Sequence, residues 1–129
     1  MNTKTLFTFN SIVALLFALP MMLTPQLVIE MYSVHPSQVN DTTWVVTRAY
    51  GSLLFSLGVC LWYVRNASPS RAVKGILLLA FIGDILLSLI HTHAILKNIE
   101  NNQAWGIVII GLILTVWSGL LLRKVQFSE

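Results

Sequence analysis

Four stretches of the chain are apolar with only isolated polar interruptions, at residues 6–27, 43–64, 75–96 and 105–122. Each is close to the ~20 residues that a helix needs to cross the hydrocarbon of a bilayer. Lipid offers the backbone no hydrogen-bond partner, so such runs are expected to be helices. They do not alternate and are about twice as long as barrel strands, which excludes a membrane β-barrel. Short polar links join the last three runs and force antiparallel directions. The pattern therefore predicts an all-α fold, a four-span transmembrane helical bundle of up-down topology. Residues 1–129 form a single integral membrane domain in this reading.

Local signals refine the boundaries. Pro20 and Pro25 are expected to kink or end the first helix. The stretch 26–32 is amphipathic enough to lie at the membrane surface. Asp41 or Thr42 is placed to cap the second span, and Ser68 before Pro69 fits the start of the third. Asn10 interrupts the first run and no small-x-small cleavage site follows Pro20, so that run is expected to be a retained span rather than a leader.

Composition strengthens the membrane assignment. Of 129 residues, 56% are hydrophobic and 10% charged, whereas soluble domains average about 45–50% apolar and about 25% charged. The chain lacks the polar surface of a soluble enzyme or a secreted disulfide scaffold. The net charge of +3 comes without a clustered basic face, so nucleic acid is not an expected partner. Cys60 is the only cysteine, which excludes an intrachain disulfide.

The basic residues instead orient the chain. Lys4, Arg65, Arg71, Lys74, Arg123 and Lys124 flank the spans on one side, and only Lys97 flanks them on the other. Positive charge is retained on the cytoplasmic side. Both termini are thus expected in the cytoplasm, with the protein in a bacterial inner membrane. Trp44 and Trp105 at one boundary, and Trp62 and Tyr63 at the other, match interfacial aromatic belts.

Polar residues within the spans supply the candidate chemistry. Asp84, Ser88 and His91 share one narrow helical face, while His93 points away. Arg48, Ser52 and Ser56 make a similar stripe on the second span. Asn10, Ala14 and Ala18 on the first, and Gly111, Thr115, Ser118 and Gly119 on the fourth, are small enough for close helix approach. All these faces are expected to point inward. The candidate ligand-binding residues are Arg48, Ser52, Asp84, Ser88 and His91.

Asp84 is the most informative of them. A carboxylate at mid-bilayer costs about 2.5–3.5 kcal/mol on insertion scales, too much for an idle lipid-facing group. It is either a hydrogen-bonded tie between helices or a functional group, and the candidate catalytic acid/base. Arg48 is a poor direct partner, since in level antiparallel helices it falls opposite Thr92, about 12 Å of rise from Asp84. It has the alternative of snorkelling to Asp41 or Glu30. His35, His91 and His93 lack the tight spacing of a metal or haem motif, so no metal and no cofactor is expected. His91 also fits as a hydrogen-bonded bundle residue. No phosphate loop, nucleophile elbow or lipidation signal is present.

The run Val46-Thr47-Arg48-Ala49-Tyr50-Gly51, followed by Leu53-Leu54 and Leu57-Gly58, resembles the second span of small four-helix bacterial inner-membrane proteins, the DoxX-like proteins among them. The preceding segment from Pro25 to Tyr32 is of a similar Pro…Met-Tyr type. In having four spans with Arg-aromatic-Gly at the second, the chain is also similar to the ergosterol-biosynthesis scaffold. The resemblance implies a membrane partner of other enzymes.

Three functions follow as expectations. The first is a non-enzymatic accessory or scaffold subunit, or a binder of a lipid-like molecule. The partners would be the lipid bilayer, another membrane protein or a second copy, and a lipophilic small molecule. The second is a small membrane enzyme acting on an isoprenoid, quinone or sterol-like substrate through Asp84, which requires an apolar cavity reaching that residue. The third is an oligomeric proton or ion pathway through Asp84.

Overall fold

The computed structural model describes residues 2–124, with only the backbone of Gln38. Among them are five α-helices: α1 (Thr3–Leu23), α2 (Pro25–Tyr32), α3 (Asp41–Val64), α4 (Arg71–Leu96) and α5 (Trp105–Lys124). Single turns of 3-10 helix lie at Pro36–Gln38 and Asn102–Ala104. All but α2 are long and apolar enough to span a bilayer. The protein is an integral membrane protein built as a four-helix bundle.

Helix ends follow from local hydrogen bonding. Asn2 caps α1 by accepting from the Thr5 backbone N–H at 2.8 Å. The helix runs through Pro20 and ends at Leu23, where the Thr24 N–H donates to the Pro20 carbonyl at 2.8 Å. Pro25 then opens α2, at a position where a missing N–H is harmless. Two expected caps are displaced. Asn40, not Asp41 or Thr42, accepts from Thr43 N–H at 3.1 Å and caps α3. Ser70, not Ser68, caps α4, because its backbone is extended (φ −145°, ψ 169°) and its hydroxyl accepts from Val73 N–H.

The helices pack as two antiparallel pairs, α1 with α3 and α4 with α5, which meet along α1 and α5. The consecutive helices α3 and α4 do not form a closely packed pair. Small residues decide the pairing. A Cβ on Gly51 would lie 2.8 Å from Met21 Cβ, and one on Gly58 would lie 3.3 Å from Ala14 Cβ. The Ser11 hydroxyl crosses the same interface to donate to the Gly58 carbonyl at 2.6 Å. In the second pair Gly111 sits directly against the Ser88 side chain, and Gly119 lies under Phe81.

The expected inward faces of α1 and α5 are therefore present, with Asn10, Ala14, Ala18, Gly111 and Ser118 buried. On α3 the expectation is corrected. Gly51, Gly58 and Leu61 are its buried residues, and Arg48, Ser52 and Ser56 are exposed. The two serine hydroxyls donate to carbonyls of their own helix, Arg48 and Ser52, each at 2.9 Å. A hydroxyl satisfied four residues back needs no interior partner, so close approach at glycine sets the packing face.

The apolar core is concentrated at the end of the bundle that carries the basic residues. Leu6, Phe7, Leu61, Val73, Leu77 and Leu121 pack there around the starts of α1 and α4 and the ends of α3 and α5. The opposite end is closed differently, by α2 and the two loops, and holds the candidate site.

Candidate functional site: a cavity between the four spanning helices

The site begins with the way α4 ends. Asn98 takes a left-handed conformation (φ 55°). The Ile99 N–H reaches back to the Ala94 carbonyl at 2.9 Å, and the Asn98 N–H to Ile95 at 3.0 Å. This is a Schellman closure, which reverses the chain after a helix. The reversed segment meets the end of α2 and the residues after it, with Val34 N–H donating to Ile99 O at 3.0 Å and Asn101 N–H to Tyr32 O at 2.7 Å. The Asn101 side chain adds a bond to the Met31 carbonyl at 2.8 Å. Glu100 is thereby hung over the last turns of α4, its Oε2 2.7 Å from His91 Nδ1.

Beneath this clasp lie two chambers that share part of their lining. The outer one, about 470 Å³, has Tyr32, His35, Thr47, His91 and Glu100 among its walls. The inner one, about 60 Å³, is walled chiefly by apolar residues of all four spanning helices, with Asn10, Tyr50, Asp84 and His91 as its polar groups. Met21, Tyr50, His91 and Ile107 line both chambers, and the boundary they make between the two is termed the neck. The space exists because α3 and α4 face each other across α1 and α5 without packing together. Leu and Phe side chains close the bundle at its other end.

Asp84 faces the inner chamber, and its Oδ2 is buried without a hydrogen-bond partner. It is not tied to a neighbouring helix by that atom. Ser88, one turn on, is buried against Gly111, and its hydroxyl donates to the Asp84 backbone carbonyl at 2.8 Å. At the rim, burial and then the carboxylate of Glu100 hold the Tyr32 phenol above its ordinary pKa of 10.0.

Of the five expected ligand-binding residues, the structure brings Asp84 and His91 to one cavity and puts Ser88 behind its wall. Arg48 and Ser52 are exposed on α3 and line neither chamber. Glu100, Tyr50 and Tyr32 belong to the site and were not expected there. The sequence does carry a signal for Glu100, since asparagine followed by isoleucine at a helix end marks a Schellman turn. Among the described residues no three His, Cys, Asp or Glu side chains are grouped to hold a metal.

No family model matches the chain, and no curated protein or solved structure proves similar to it.

Proposed function

We propose that the protein binds a lipid-like small molecule in the two-chamber cavity, as a non-enzymatic ligand binder or accessory subunit. One observation carries this reading: a mostly apolar cavity between the spanning helices and the loops at one end, presenting a few polar groups at separate heights. Ligand sites have this character, with apolar walls for affinity and sparse polar groups for orientation. The basic bias of one end supports a bacterial inner-membrane placement with that end cytoplasmic. The DoxX-like layout supports an accessory role beside another membrane protein.

The test is extraction of the protein from native membranes into polymer-bounded discs, followed by mass spectrometry of the retained lipophiles. One species is expected at about one per protein and far above its share of the bulk lipid. Recovery of bulk lipid alone would overturn the reading.

A second reading is favoured by one atom. The unpartnered Oδ2 of Asp84 in an apolar chamber has the environment of a carboxyl group suited to proton transfer. Under that reading the bound lipophile is a substrate, and Asp84→Asn retains binding while abolishing its conversion.

A further inference from the structure

Resting on the ligand-binding reading above, we infer that the ligand is an aliphatic amine, its N–H-bearing ammonium group held at Asp84 and its alkyl chain running through the neck towards the rim. The inference comes from what the cavity offers a polar head and what it withholds.

Asp84 Oδ2 is buried with no hydrogen-bond partner and faces the inner chamber. An ionised carboxylate oxygen only accepts, so the group that completes Asp84 in its charged state is a donor. A positive donor satisfies both the hydrogen bond and the charge, and charge-assisted bonds are the stronger ones. An alcohol supplies the donor without the charge. A quaternary ammonium supplies the charge without the donor.

The charge of the walls points the same way. Asp84 and Glu100 line the cavity at two heights, and among the described residues no lysine or arginine lines it. Lys4, Arg65, Arg71, Lys74, Arg123 and Lys124 flank the end closed by the apolar core, and Lys97, at the cavity end, lines neither chamber. A phosphate or carboxylate head would meet the Asp84 carboxylate with no lysine or arginine to bind it, the His91 ring being engaged by Glu100. Glu100 is already engaged with His91, so Asp84 is the carboxylate left for the ligand.

Size separates the two ends of the ligand. The chamber at Asp84 is about 60 Å³ and the outer one about 470 Å³. A compact ammonium suits the first. Val13, Leu54 and Ile110 flank the head, and Val28, Ile29 and Ile99 continue an apolar path outward.

The test uses the full chain in lipid nanodiscs and an equimolar mixture of dodecylamine, dodecyltrimethylammonium, dodecanol and dodecanoate. After capture of the protein, retained probes are quantified by mass spectrometry against empty discs. Dodecylamine is expected to be enriched at least about tenfold over the other three. Asp84→Asn is expected to level amine with alcohol, and Asp84→Glu to keep the preference. Equal retention of alcohol and amine, or preference for the acid or the quaternary head, overturns the amine assignment while leaving the cavity a lipophile site. Retention of no probe above empty discs overturns both. The wild-type ranking decides between these outcomes even where a variant does not fold.

Discussion

His91 and Glu100 meet with Nδ1 and Oε2 2.7 Å apart, one from the last turns of a membrane-spanning helix and the other from the loop that reverses over it. The pair is a clasp between the α4 wall of the cavity and the α2-to-α3 segment, because Glu100 is held to that segment through its neighbours Ile99 and Asn101. With side chains 14% and 21% exposed, the two groups are shielded more than a surface ion pair. A double-mutant cycle of His91→Ala and Glu100→Ala is expected to give a coupling of about 1 kcal/mol, above the typical surface pair. Unfolding in discs measures it, and additive single effects would refute the clasp.

The backbone that positions Glu100 depends on Asn98. Its φ of 55° is tolerated by asparagine and best served by glycine. Asn98→Gly is expected to leave stability unchanged or slightly raised. Asn98→Val is expected to cost about 1–2 kcal/mol. Hydrogen exchange at residues 99–101 reads the effect directly, faster in the valine variant and unchanged in the glycine one.

Helix pairing supplies a contrast between glycines. Gly51→Ala would place a methyl 2.8 Å from Met21 Cβ, an atom fixed close to the backbone. That substitution is expected to destabilise the α1–α3 pair by about 1–3 kcal/mol. Gly75 and Gly83 on α4 face open space. Alanine there is expected to change stability by less than about 1 kcal/mol, in the stabilising direction, through helix propensity. Equal losses at all three positions would contradict the packing described.

How much of this was legible in the chain varies with the kind of information involved. The spans were readable because a bilayer demands an uninterrupted apolar run, and α3 ends at Val64 and α4 at Leu96 as that rule implies. Asp84 and His91 were readable together because helical periodicity alone puts them on one face. The inward face of α3 was not. Polar spacing points to the Arg48, Ser52 and Ser56 stripe, yet Ser52 and Ser56 satisfy their hydroxyls within the helix, and the glycines make the contact. Glu100 was hidden for another reason: Asn98-Ile99 marks the chain reversal, but the pairing with residues near Ser33, about seventy positions away, is encoded by no local pattern.

The rim should respond to alkaline pH. The Tyr32 phenol is held above its ordinary pKa by burial and then by Glu100. The folded protein therefore binds the phenolic proton more tightly than the unfolded chain does. Its contribution to stability is complete below pH 10 and is lost as pH rises through the folded pKa. A difference absorbance titration between wild type and Tyr32→Phe is expected to show a phenolate appearing above pH 10. Glu100→Gln is expected to move that midpoint down, and no movement would remove Glu100 as a cause.

The neck offers the most direct handle on the cavity. Ile107 lines both chambers together with Met21, Tyr50 and His91, so its side chain stands at the boundary between them. Ile107→Trp adds bulk at that level and is expected to prevent entry to the inner chamber, with retained lipophile falling at least about tenfold. Ile107→Ala removes bulk and is expected to speed exchange while keeping binding. Arg48→Ala serves as the comparison, since Arg48 is exposed on α3 away from both chambers, and retention there is expected to match wild type. Measured side by side, a loss in the tryptophan variant alone places the ligand path through the neck. A loss in the Arg48 variant with none in the tryptophan one would move the site to the outer face of α3.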